Sequence, residues 1–140
     1  MLRIARPVGL LAVIASLAVS GAALARTEAP RQELDYWLRC GMAFGGYKSL
    51  LEDNPDPVGQ ARLERVNATL PRMSVRVDAL ISEQSLSDAQ VAADLDRLGG
   101  EFKAELENLY TQPDFVAAAR GVIEPRLDAC EARARTLPGT

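Results

Sequence analysis

The hydrophobic positions of this chain divide it into one continuous apolar run and four segments of helical periodicity. The run covers residues 8–19, follows two arginines, and ends in small residues up to Ala25. A positive start, an apolar middle and a small-residue ending are typical of a secretory signal peptide. We therefore expect residues 1–25 to be removed by cleavage near Ala25, and residues 26–140 to form one helical-bundle domain.

An uncleaved membrane anchor is the alternative interpretation of the same run. Its second half consists largely of Ala, Ser and Gly, which insert weakly into a bilayer. No later apolar stretch approaches the twenty or so residues that a membrane-spanning helix needs. The sequence thus predicts a periplasmic or secreted protein with no stable membrane anchor after cleavage.

Apolar residues recur three and four positions apart in four later segments, which predicts four amphipathic helices and an all-α fold. The first covers about 31–53, the second follows the N-cap Asp56, the third follows Ser87, and the fourth begins near Pro113. Ser87 and Gln90 have the spacing of a capping box. The predicted stripes are Leu34, Trp37, Cys40, Phe44, Tyr47 and Leu51; Leu63, Val66, Leu70, Met73, Val77 and Leu80; Val91, Leu95, Leu98, Phe102, Leu106 and Leu109; and Val116, Ala119, Ile123, Leu127, Cys130, Ala134 and Leu137.

Four helices of similar length joined by short loops predict an up-down-up-down four-helix bundle. Its first and fourth helices are antiparallel neighbours. Cys40 and Cys130 then lie at heights that differ by only about 3 Å along the bundle axis. In an oxidising compartment an even cysteine count indicates a disulfide. We predict that a Cys40–Cys130 disulfide joins the first and last helices.

Every predicted helix carries glycine or proline near its middle, including Gly41, Gly99, Pro71 and Pro125. Both residue types weaken a helix interior, so we expect kinked helices whose weak points lie together at the waist of the bundle. One interpretation is close helix packing at the glycines. A second is a groove or cavity that binds a ligand or a partner segment. A third is that Pro71 or Pro125 divides its helix in two.

The first helix supplies the candidate partner or ligand surface, which is formed by Tyr36, Trp37, Phe44 and Tyr47. Adjacent Tyr36 and Trp37 point about 100° apart on a helix, so one of them can be exposed. The alternative is that these aromatic residues belong to the core, as aromatic residues at helical spacing commonly do.

Four arginines of the second helix, Arg62, Arg65, Arg72 and Arg76, share one flank. The third helix is rich in acids, so the simplest interpretation pairs the two helices across their interface. Exposed pairs of this kind stabilise little and mainly select topology. The functional interpretation is an anion-facing stripe that meets a lipid headgroup or an acidic partner.

Composition restricts the chemistry. The chain has no histidine, which removes the commonest general base and metal ligand. Signal cleavage takes away two positive charges and no negative ones, so the net charge falls from −3 to −5. An acidic protein lacks the basic face that nucleic acid requires. We expect no enzyme activity, no cofactor, no metal site and no nucleic-acid partner.

The preferred hypothesis is therefore a small exported protein that acts by binding another envelope protein or a peptide, in an immunity, inhibitor or chaperone-like role. The alternative is a carrier of an apolar small molecule in a mid-bundle cavity. A closed apolar cavity would favour the carrier, whereas an exposed apolar surface would favour the protein partner.

Overall fold

The computed structural model describes the backbone of residues 11–139 and the side chains of residues 29–139. It contains five α-helices and no strand within those residues, which confirms the predicted all-α class. The helices are α1 (Leu11–Asp53), α2 (Pro57–Asn67), α3 (Leu70–Glu83), α4 (Asp88–Glu107) and α5 (Phe115–Ala134). None of them, over the described residues, is long and apolar enough to cross a membrane.

Helix α1 begins at Leu11, well before the expected start near residue 31. The predicted cleavage point after Ala25 therefore falls within a continuous helix. The first ten residues of the predicted signal peptide lie outside the described residues, and cleavage stays a prediction.

The predicted count of four helices is not confirmed, because the second predicted helix is two helices. Helix α2 ends at Asn67, and α3 begins at Leu70 with Pro71 in its first turn. A proline is tolerated there because the first N–H groups of a helix have no intrahelical acceptor. The Thr69 hydroxyl donates to the carbonyl of Val66 at 2.7 Å within the break. By contrast, Pro125 lies inside an undivided α5.

Two N-terminal caps form as the sequence predicts. The Asp56 carboxylate accepts hydrogen bonds from the N–H groups of Val58 and Gly59 at the start of α2. Ser87 and Gln90 form a reciprocal capping box at the start of α4. These caps satisfy backbone donors that would otherwise lack partners, and so fix where each helix begins.

The core is built around α1, against which the other four helices pack. Its fully buried apolar side chains include Leu34, Tyr47, Leu80, Ile123 and Leu127. Most predicted stripe residues are buried or half-buried, and the clearest exception is Leu95 of α4, which is 41% exposed. Helical periodicity therefore identified the core correctly.

The predicted disulfide is confirmed. Cys40 of α1 and Cys130 of α5 are bonded, with a Cα–Cα distance of 5.9 Å. Both cysteines are almost fully buried, so the bond lies within the α1–α5 interface. A disulfide indicates an oxidising compartment.

Helices α3 and α4 both pack on α1 but scarcely on each other. In a square up-down-up-down bundle, α4 would lie diagonally opposite α1 and would not contact it. Here α4 packs on α1. The arrangement leaves one face of α1 uncovered between α3 and α4, and this gap forms the candidate site.

Candidate binding groove

An apolar groove of about 390 Å³ lies between α1, α3 and α4. We call it the α3–α4 groove. Its volume falls within the range of small-molecule sites, and it opens to solvent along the gap between the two outer helices. The residues that line it are Trp37, Leu38, Gly41, Met42, Leu70, Met73, Ser74, Val77 and Leu95.

The floor of the groove is the uncovered face of α1. A Cβ atom added to Gly41, or to Gly45 one turn later, would meet no atom within 4 Å beyond its own helical turn. The two glycines thus leave the α1 backbone accessible at mid-helix. Gly41 thus lies in a groove, as one interpretation of the glycines in the predicted first helix suggested. The groove itself exists because α3 and α4 lie apart on α1.

The walls are side chains of α3 and α4 that face the gap. Val77 is half-buried on α3, and Leu95 is 41% exposed on α4. Two methionines, Met42 and Met73, also line the groove. Methionine is unbranched and adapts its shape to different partners, which suits a surface that binds apolar groups.

Carboxylates lie next to both walls. Asp78 follows Val77, and Asp96 follows Leu95; both aspartates are exposed. Among the described side chains, neither has an ion-pair partner. By contrast, Asp94 on the other side of Leu95 is 7% exposed and pairs with Arg31 of α1 at 2.9 Å.

The structure separates the four predicted aromatic residues instead of gathering them on one surface. Trp37 and Tyr47 are core residues, 2% and 0% exposed, whereas Tyr36 and Phe44 are half-buried. Only Trp37 reaches the α3–α4 groove. Tyr36 lies beside the disulfide in a separate pocket of about 290 Å³, and Phe44 lines a mixed polar cleft with Lys48.

Tyr36 and Trp37 do contact each other, with their rings edge to face and their centroids 5.1 Å apart. The guanidinium of Arg133 lies over the Tyr36 ring, 4.1 Å from its centroid. Such cation–π contacts stabilise a partly exposed aromatic side chain. Arg133 was not among the predicted site residues, and its place on α5 is set by the disulfide one turn earlier.

The expected pairing between the arginine stripe and the third predicted helix is wrong. Arg62 bonds Asp128 of α5 at 2.9 Å, and Arg65 lies 3.7 Å from Glu131 of the same helix. Arg76 forms a two-pronged contact with Glu33 of α1 at 2.7 and 2.8 Å, while Arg72 has only a 3.5 Å hydrogen bond to the carbonyl of Arg135. Arg62 and Arg65 lie on α2 and face α5, on which α2 packs, whereas Arg76 of α3 faces α1.

A cluster of hydrogen-bonded polar side chains, which the sequence did not predict, joins the α1–α2 turn to α5. The Tyr47 hydroxyl donates to Glu124 at 2.8 Å, and Arg120 donates to both Glu124 and Asp56 at 2.6 Å. Gly59 leaves room beside it, because a Cβ there would lie 2.7 Å from the Tyr47 oxygen and would displace it. The partners are far apart in sequence, so no local pattern could have revealed the cluster.

Two arginines face the two carboxylates of this cluster, since Arg62 also lies 3.3 Å from Glu124. Burial acts to raise the pKa of Glu124, but the hydrogen bonds from Arg120 and Tyr47 outweigh it, so the pKa is lowered. Hydrogen bonding by Arg120 lowers the pKa of Asp56, and burial raises the pKa of the Tyr47 phenol. Tyr47 therefore stays a neutral donor at physiological pH. The cluster thus links α5 to the α1–α2 turn through charged hydrogen bonds.

Among the described residues, no group of three or more His, Cys, Asp or Glu side chains is arranged to hold a metal ion. Comparisons with protein-family models, with curated proteins and with solved structures find no match for this chain. Fold and site together define a small, disulfide-linked, all-helical protein with an open apolar groove.

Proposed function

We propose that this protein acts by binding, and that the α3–α4 groove receives an apolar segment of another envelope protein or of a peptide. The observation that carries the proposal is the uncovered apolar face of α1, with Leu95 left 41% exposed beside it. Exposed apolar patches on small proteins commonly mark interaction sites. A groove between helices is also the usual seat for the apolar face of a partner helix.

The setting that we propose for this activity is the periplasm or the extracellular space. The charged start, apolar run and small residues before Arg26 support cleavage near Ala25. The buried disulfide supports the same compartment. Immunity, inhibitor and chaperone-like roles all fit a binding protein that has no catalysis of its own. Helices α2 and α3 would together take the place of the second helix in the predicted up-down-up-down bundle.

The second candidate is a carrier of an apolar small molecule. The groove's volume and its almost wholly apolar lining favour this function, since Ser74 supplies the only hydroxyl group in the lining. Its openness to solvent favours the protein partner, because a carrier gains most from enclosing its cargo.

A photo-crosslinking experiment in the native host tests the proposed function. A photoreactive phenylalanine analogue replaces Leu95 in the groove or, as the control, Val58, which is 70% exposed on α2. We expect a discrete protein or peptide adduct at position 95 and none at position 58. Equal labelling at both positions would contradict a groove-specific partner. An adduct of small-molecule mass at position 95 would favour the carrier.

A further inference from the structure

The charges beside the α3–α4 groove are arranged in the same way on both walls. On α4, Asp94 precedes the lining residue Leu95 and pairs with α1. On α3, Arg76 precedes the lining residue Val77 and also pairs with α1, through Glu33. In each helix, the residue before the lining side chain therefore points toward α1.

Successive residues of a helix point 100° apart, so the residue after each lining side chain turns the opposite way. Asp96 and Asp78 occupy these positions and are exposed. They must therefore lie along the outer edges of the groove, one on each wall. Asp88 lies two turns before Leu95 and shares its face, which adds a third exposed carboxylate on the groove side of α4.

The acids of α4 fall into two groups. Glu101 bonds Arg39 of α1 at 2.6 Å, and Asp94 pairs with Arg31, so the acids that face the bundle are neutralised by arginines. Within the described part of the chain, Asp78, Asp88 and Asp96 have no ion-pair partner. The groove thus joins an apolar floor to an unneutralised acidic edge.

The shape of the floor suits a helix. Packed helices lie 8–10 Å apart, and the closer distances need small residues at the contact. Gly41 and Gly45 supply them one turn apart on α1, with open space above both. A helix laid along this face would fill the gap between α3 and α4 and complete the ring of helices around α1.

We propose that the α3–α4 groove binds an amphipathic helix whose apolar face is flanked by lysine or arginine. Its apolar side chains would contact Met42, Val77 and Leu95, while its basic flanks would meet Asp78 and Asp96. The mature chain's net charge of −5 would attract the same partner at long range. This inference rests on the proposed function, because it names the chemistry of the partner in the same groove.

The test uses three synthetic helical peptides of about 18 residues, long enough to form a helix on binding. The first has a leucine face with lysine flanks, the second has the same leucine face with glutamate flanks, and the third has the lysine composition in scrambled order. Trp37 reports binding by fluorescence, because it is the only tryptophan in the chain and it lines the groove. Titrations at roughly 0.05 and 0.3 M NaCl measure the electrostatic contribution to the dissociation constant.

We expect the lysine-flanked peptide to bind at least about tenfold tighter than the glutamate-flanked one at low salt, and to weaken as salt rises. The paired change Asp78→Asn with Asp96→Asn should weaken its binding by about three- to tenfold, since each exposed ion pair contributes modestly. The matched control is Glu52→Gln with Asp53→Asn, two exposed acids at the far end of α1. It alters the net charge equally and should leave the dissociation constant within about twofold.

A second pair of variants tests the floor. Gly41→Leu places a side chain in the groove and should weaken binding by about tenfold or more, by occupying the apolar site. Gly121→Leu on α5 is the control, because a Cβ there also meets no atom within 4 Å but lies outside the groove. It should leave binding unchanged.

Three other results would contradict the proposal, and each leads to a different conclusion. If both leucine-faced peptides bind equally and Gly41→Leu abolishes both, the groove is a binding site but the partner's charge is wrong; the proposed function then stands. If no peptide binds while a solvatochromic dye does, in a Gly41-dependent manner, the carrier function replaces both proposals. If sedimentation shows a dimer that Gly41→Leu disrupts, the occupant is a second copy of this chain.

Discussion

Helices α4 and α5 are each 20 residues long and each packs along α1, yet different forces hold them there. Helix α5 has six buried residues and a disulfide to α1, whereas α4 has only Asp94 and Leu98 buried. The half-buried Phe102 and Leu106 of α4 also pack against the core, and three partly exposed ion pairs join α4 to α1: Arg31–Asp94, Asp35–Arg97 and Arg39–Glu101. Helix α5 is joined to α1 by extensive apolar burial and a covalent bond, whereas α4 is joined by less apolar burial together with partly exposed ion pairs.

This difference bears on where the molecule can bind a partner. Apolar burial fills much of the α1–α5 interface, which is open at the pocket of about 290 Å³ beside the disulfide. Helix α4 packs on α1 with few contacts to α3, and the groove lies open between α3 and α4. The helix with the least apolar burial is thus also the one that borders the candidate groove.

Removal of the disulfide should have the largest effect on stability. Replacing Cys40 and Cys130 together by alanine frees a loop of 90 residues in the unfolded chain. The chain-entropy treatment gives a loss of about 4–5 kcal/mol in the free energy of unfolding. Urea denaturation followed by circular dichroism measures it. A loss below about 1 kcal/mol would mean that α5 is held by packing alone.

Truncation of one buried leucine on each helix compares the two interfaces directly. Leu127 of α5 and Leu98 of α4 are both fully buried. We expect Leu127→Ala to lower the free energy of unfolding by about 3–4 kcal/mol and Leu98→Ala by about 2–3 kcal/mol, because α4 can shift to close the space. Urea titrations of both variants give the values. An equal or larger loss for Leu98→Ala would contradict a loosely held α4.

Asp94 and Asp96, on either side of Leu95, allow a nearly buried, ion-paired carboxylate to be compared with an exposed one. Asp94→Asn removes a nearly buried charge that pairs with Arg31, so the free energy of unfolding should fall by about 1–2 kcal/mol. Asp96→Asn removes an exposed charge and should change it by less than about 0.5 kcal/mol. Thermal and urea denaturation distinguish them. Equal effects would show that Asp94 does not hold α4 to α1.

Two glycines of α1 should respond in opposite directions to the same small change. A Cβ at Gly41 meets open space, so Gly41→Ala should raise the free energy of unfolding by about 0.5–1 kcal/mol through helix propensity. A Cβ at Gly46 would lie 2.9 Å from the Phe102 ring of α4, so Gly46→Ala should gain less or lose stability. Equal gains at both positions would mean that Phe102 shifts freely with α4.

The sequence predicted the parts of this fold that depend on local pattern or on a single long-range constraint. The apolar stripes gave the core, the capping box gave the start of α4, and Cys40 with Cys130 gave the register of α1 against α5. Pro71 is a possible break on sequence grounds, but its effect depends on whether Thr69 closes a turn before it, as its N–H does by donating to the carbonyl of Val66 at 2.9 Å. Such a turn is decided by backbone hydrogen bonds that residue types alone do not specify.

The groove was predictable only in outline. Glycines near the middle of the first helix suggested a site at the waist, and Gly41 does lie on its floor. The spacing between α3 and α4 was missed because the arginines were assigned to the wrong neighbour. Arg76 could pair with any nearby acid, and its choice of Glu33 follows from the tertiary arrangement. Charge pairing is weak and not directional enough to fix which helices are neighbours.

Native-state hydrogen exchange of the oxidised protein tests the central claim most directly, because it reports the opening of α4 and α5 separately. We predict that the backbone amides around Leu98 exchange through an opening of lower free energy than those around Leu127, and that added salt widens this difference by screening the ion pairs of α4. Equal protection of the two helices, unchanged by salt, would contradict the conclusion that α4 is held by less apolar burial than α5 and relies in part on ion pairs.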